Sequence, residues 1–268
     1  MGTFSCDFFN NFDVRWQEVY MLIGKANDIK DCDQKFYDSL CRASIVLSVA
    51  NFEGYLNEVI IMILKDINKF GSFRDASYPV KQTFCSAFIN AEEKGNGNKI
   101  RKLIETFDDL EVKFQSVPFL FEGNKNPKAL VIEKLYKRMG GNDFWSRVSN
   151  CEIERVFEND KIFNERLISD FKQAILISTD KYPYDLIDIN ALGFNNTDKG
   201  NHPESMWKAF LDETLRKRHV VAHGNTFDNE ISINELNDTI AKLKVLELSF
   251  AILVLNDCLA QHKILTQK

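Results

Sequence analysis

The chain has 268 residues, 44% of them hydrophobic and 27% charged, with a formal net charge of -5. That balance excludes a disordered or fibrous chain and is ample for a sizeable buried core. The negative net charge also excludes a broad basic face gripping nucleic acid along its length, so any RNA contact must be a local patch.

In chain order, a polar lead-in precedes a first helix expected at about 13–27, carrying Val14, Trp16, Val19, Tyr20 and Ile23. Asp31-Cys32-Asp33 then forms a short connection and possible cap. From about Gln34 to Asn68 the chain has no Pro and one Gly, and Val46, Val49, Leu56 and Ile60 fall on one helical face. Glu53 falls on that face too. A lone carboxylate on an apolar seam costs on the order of several kcal/mol unless it is paired.

The middle section, about 71–202, is less periodic. Four of the prolines lie in it, Pro79, Pro118, Pro127 and Pro183, and Pro203 closes it. Shorter helices are expected at about 81–93, 99–107, 127–138 and 164–172. Gly95-Asn96-Gly97-Asn98 and Gly140-Gly141-Asn142 read as turns, since neither follows a credible strand or ends in Gly-Lys-Ser/Thr. Lys125, Lys128, Lys134, Lys137 and Arg138, with Phe119, Phe121, Tyr136 and Trp145 nearby, read as a solvated helix face, the alternative being an RNA-guiding surface.

A helix from about Pro203 places Trp207, Leu211, Thr214, Arg218 and Val221 on one stripe, at spacings of three and four. A guanidinium there cannot shed its charge, so it needs a carboxylate, carbonyls or an opening through which phosphate can come. His223 lies five residues on, about 140° around a regular helix. Gly224 is a plausible helix stop, and unwinding of the last turn would let the two converge on one pocket. A histidine titrating near neutrality and a fixed cation suit phosphodiester cleavage by an adjacent 2′-hydroxyl, one moving the proton and the other opposing the developing charge. Ser232-Ile233-Asn234-Glu235 is a capping box opening a last helix to about His262, apolar nearly all round from Val245 to Leu255. Such a segment suits the middle of a bundle or a subunit interface.

Arg218-His219-Val220-Val221-Ala222-His223-Gly224 resembles the Arg, polar residue, x, x, x, His signature of the HEPN superfamily, helical domains many of which are metal-independent ribonucleases. His219 stands where the family more often has asparagine. Ser48-Val49-Ala50-Asn51-Phe52-Glu53-Gly54-Tyr55-Leu56 resembles the small-residue, aromatic, Glu helix of one branch, the MAE type or a relative. The resemblance implies an all-α, HEPN-like helical bundle forming a single domain, its core at about 1–70 and 203–268 and a helical insertion at about 71–202 between the core helices.

The function implied by that resemblance is endonucleolytic RNA cleavage without metal or cofactor. His223 would transfer the proton, Arg218 would hold the scissile phosphate, His219 would assist by hydrogen bonding and Glu53 would orient Arg218. Family members generally pair two motifs across a dimer cleft, so a homodimer is expected. Phage defence or a toxin-antitoxin pair, with an antitoxin or defence-system partner, is the implied setting. Some HEPN toxins carry Tyr two residues after the His as a modification site; this chain has Asn225 there, so that route of regulation does not carry over.

Blander readings stand beside these. Glu53 and Arg218 could form a structural salt bridge, His219 could be simply exposed, and His223 could cap helix carbonyls. His202 and His262 read as solvated. Rival functions are a non-catalytic HEPN-like module that binds nucleotide or protein, and a structural helical subunit of a larger assembly. The six cysteines, at 6, 32, 41, 85, 151 and 258, show no Cys-x-x-Cys spacing, so neither zinc nor a disulfide framework is expected. Met1 to Asn11 lacks the basic start and long apolar run of a signal peptide, and no stretch is expected to reach the length of a membrane span. A reduced, cytoplasmic setting follows as the expectation.

Overall fold

The computed structural model describes residues 2–89, 96–120, 126–195, 205–222 and 231–259. Ten α-helices are present among them. They are α1 (Phe4–Asn10), α2 (Gln17–Ile29), α3 (Gln34–Phe70), α4 (Tyr78–Ser86), α5 (Asn96–Asp109), α6 (Ala129–Arg138), α7 (Phe144–Val148), α8 (Lys161–Thr179), α9 (Met206–Ala222) and α10 (Ile233–Asp257). Short 3-10 segments occupy Phe12–Trp16, Phe73–Asp75, Val117–Phe119 and Glu152–Glu158. Among the described residues there is no strand, only an isolated bridge between Ala76 and Leu259. The chain is all-α.

Two helices dominate the packing. α3 has 37 residues and touches α1, α2, α9 and α10, while α10 has 25 and touches α2, α3 and α8. They run in the same direction. Tyr37 near the start of α3 meets the backbone of Ile233, and at the far ends the Ser77 N–H donates to the Cys258 carbonyl at 2.9 Å. The run Val245 to Leu255 is buried throughout, so its all-round hydrophobicity belongs to the bundle centre rather than to a surface. α3 is, by length and composition, long enough and apolar enough to cross a membrane, contrary to the sequence expectation. Tyr55, Leu56, Val59, Ile60, Ile63 and Ile67 are completely or almost completely enclosed by neighbouring helices, which is the environment of a core helix.

The expected first helix opens later, at Gln17, behind a 3-10 turn, and the stretch expected as a polar lead-in carries α1. Phe9, Phe12 and Trp16 are all fully buried, and the tight 3-10 turn between α1 and α2 is what points three large rings inward within eight positions. Asp66 of α3 fixes α1 to the bundle, accepting from the Phe4 and Ser5 backbone N–H groups at 2.7 and 2.9 Å and from the Tyr184 hydroxyl at 2.7 Å.

The middle section shares the core of the terminal helices. α8 packs on α10 and α1, and the Tyr136 hydroxyl of α6 donates to Asp257 of α10 at 2.5 Å. Gly140-Gly141-Asn142 is a turn, as expected: Gly140 has φ +98° and sits against the Asp257 carbonyl, and a side chain at Gly141 would strike the Tyr136 ring. Asn96 to Asn98 open α5 instead of forming a turn; Gly95 lies outside the described residues. The aromatic neighbours of the basic segment, Phe119, Tyr136 and Trp145, are buried and have no face free for a base. Lys137 pairs with Glu133, and Arg138 donates to the Leu120 carbonyl. Lys125 and Phe121 are outside the described residues.

Candidate functional site

Glu53 and Arg218 are carried by two helices that pack against each other, α3 and α9. α9 is held by its apolar stripe: Trp207, Leu211, Thr214 and Leu215 are buried, and the Trp207 indole N–H donates to the Val148 carbonyl at 3.0 Å. Arg218 continues that stripe and is half-buried. From α3, Glu53 is likewise half-buried, one turn from the enclosed Leu56.

Burial pushes the Glu53 carboxyl above its ordinary range, and the charge of Arg218 pulls in the opposite direction. A carboxyl caught between desolvation and a cation is what the seam position implied. Among the described residues no ion pair joins the two groups. The hydrogen bond seen at the guanidinium comes instead from Asn126, just before α6, whose Oδ1 accepts from Arg218 Nη1 at 3.4 Å. No sequence signal pointed to this contact, because the two residues are 92 positions apart and asparagine in a polar loop is commonplace.

His219 is exposed in the last turn of α9. The helix stays regular through Ala222, so the expected loosening of its end does not occur within the described residues. His223, Gly224 and Asn225 lie outside them, as do His202, Pro203 and His262. Lys217 joins Glu235 across the α9–α10 connection. The Ser232 hydroxyl accepts from the Glu235 N–H at 3.2 Å, so half of the anticipated capping box forms while the Glu235 carboxylate serves α9. Among the described residues no three His, Cys, Asp or Glu side chains gather closely enough to hold a metal ion. All six cysteines are free thiols.

A second perturbed carboxylate went unnoticed in the sequence. Glu247 of α10 is fully buried and its Oε2 accepts from the Trp16 indole N–H at 3.1 Å. Burial pushes its carboxyl up to about 8, against the opposing pull of Arg15, Trp16 and Lys244. Among the described residues its Oε1 and the buried Tyr55 hydroxyl have no hydrogen-bond partner. The signal was available: an acid inside an otherwise apolar helical run poses the same problem as Glu53.

The described residues form an all-helical bundle built on a long central helix. The chain belongs to the RiboL-PSP-HEPN family, whose model matches residues 10–256. Neither curated proteins nor solved structures gave a match to the chain.

Proposed function

We propose that this chain is an endoribonuclease that cleaves RNA without a metal ion. The observation that carries the reading is the meeting of α3 and α9, where a half-buried Glu53 carboxyl and the Arg218 guanidinium act on one another, in a member of a HEPN family. His223 takes the proton of the attacking 2′-hydroxyl, or returns one to the leaving 5′-oxygen. The 2′-oxygen bonds to phosphorus as the bond to the 5′-oxygen breaks, leaving a 2′,3′-cyclic phosphate. Arg218 opposes the charge that builds on the non-bridging oxygens, His219 adds a hydrogen bond, and Glu53 holds Arg218 in orientation. A homodimer supplies the second motif of the cleft. Defence against phage, or the toxin role in a toxin-antitoxin pair, is the setting in which such cleavage is useful.

The experiment is incubation of purified protein with RNA in EDTA, followed by end analysis. New ends bearing cyclic phosphate, lost in His223→Ala with the fold intact by circular dichroism, support the proposal. Saturable nucleotide binding with no new ends would identify a non-catalytic module instead. Growth arrest on overexpression that persists in His223→Ala would remove the ribonuclease reading.

A further inference from the structure

The middle section reaches Arg218 through Asn126. α6 packs on α9, and Asn126, just before α6, is half-buried with its Oδ1 accepting from Arg218 Nη1 at 3.4 Å. The backbone around it is well held. Pro127 is buried and confines the residue before it largely to extended conformations, while the Lys128 N–H donates to the Asn126 carbonyl at 2.7 Å. The buried Trp145 secures the first turn of α6, its indole N–H donating to the Ala129 carbonyl at 3.0 Å. The amide therefore meets Arg218 from a fixed base.

Among the described residues, this is the one hydrogen bond made by the Asn126 side chain and the one made by the Arg218 guanidinium. The amide gives α6 no side-chain cap, so its contact is with Arg218 alone. Glu53 acts on Arg218 through charge, which attracts without fixing a direction, whereas a hydrogen bond to one Nη–H sets how the guanidinium is turned. An arginine carries five N–H donors in one rigid fork, so committing one of them orients the other four.

The kind of acceptor matters as well. A guanidinium only donates, so the amide must turn its oxygen toward it. A carboxylate in that place would also neutralise the cation; a neutral amide orients Arg218 and leaves its charge for a phosphate. We propose that Asn126 is a positioning residue of the RNA site, fixing the plane of the Arg218 guanidinium for the phosphate that Arg218 holds. The middle section then belongs to the site as well as to the scaffold. This rests on the ribonuclease reading of Arg218 and adds to it a residue from outside the two seam helices.

The test measures binding of single-stranded RNA that is 2′-O-methylated throughout, which lacks the attacking hydroxyl and so is bound without being cut, with affinity read by fluorescence anisotropy. Wild type should bind saturably, and Arg218→Met, which keeps an apolar stem, about tenfold more weakly. Asn126→Ala should weaken binding about two- to fivefold. Asn126→Asp keeps an acceptor but sets a negative charge against the phosphate, so it should weaken binding about tenfold, an effect that a merely structural amide would not show. In the Arg218→Met background Asn126→Ala should cause no further loss, because its effect passes through the guanidinium. Thermal unfolding establishes that each variant keeps its fold. No saturable binding by wild type, wild-type affinity in folded Asn126→Ala or Asn126→Asp, or an Asn126→Ala loss that persists in the Arg218→Met background would each overturn the proposal. The expected binding pattern, with no cutting of unmodified RNA in EDTA, would support the positioning role while removing the cleavage reading.

Discussion

Glu53 and Glu247 are both acids on long apolar helices, both held above the ordinary carboxyl range by burial, yet their surroundings differ. Glu247 is sealed among Trp16, Tyr55 and Arg15 with no exposure at all. Glu53 is only half-buried and feels the charge of Arg218 on a neighbouring helix. Perturbed titration marks both. Both also feel a nearby cation, Arg15 for Glu247 and Arg218 for Glu53; access marks only the second, so the interior acid can act on the fold alone.

The largest effect is expected where the sealed cluster is dismantled. Trp16→Ala removes a fully buried ring and the donor to Glu247, and should cost about 3–5 kcal/mol, read by urea unfolding. Next comes pH. The folded carboxyl of Glu247 holds its proton to about 8, against a reference value of 4.5. Between these values the folded state binds more protons than the unfolded one, so stability falls as pH rises, by roughly 1 kcal/mol per pH unit, and levels off above the upper value. Glu247→Gln should remove that part of the slope; identical pH dependence in wild type and variant would contradict the burial argument.

Glu53→Gln should sharpen the contrast in the other direction. Its partial exposure screens the charge, so stability should move by less than about 1 kcal/mol. RNA cleavage, under the proposed function, should fall about tenfold, near 1.4 kcal/mol of transition-state stabilisation. A stability loss as large as that of Trp16→Ala, with cleavage unchanged, would make Glu53 a purely structural acid. Asn126→Ala should have the smallest effect, a few-fold in cleavage, because a neutral acceptor at 3.4 Å gives a bond worth roughly 0.5–1 kcal/mol.

The long helices were legible because their periodicity is a local property. The spacing around Glu53 and Arg218 placed α3 and α9 to within a few residues, and the capping serine at 232 placed the start of α10. α1 and the 3-10 turn after it were not legible: helix spacing runs back from Val19 to Val14, and the inward turn of Phe12 and Trp16 depends on their burial in the folded bundle. α7, five residues long, is too short to show a period. Glu247 was hidden by averaging over an apolar run, and Asn126 by distance along the chain.

The parallel course of α3 and α10 has a consequence for how the protein is made. The surfaces that close the centre of the bundle lie far apart along the chain, and the Ser77–Cys258 contact joins the segment that follows α3 to the residue that caps α10. Until α10 leaves the ribosome, α1 and α2 can cover their side of α3, but the residues that pack on α10 have no permanent cover. The nascent chain must therefore shield them by transient collapse or with a chaperone, and native closure is largely an event that follows translation of α10.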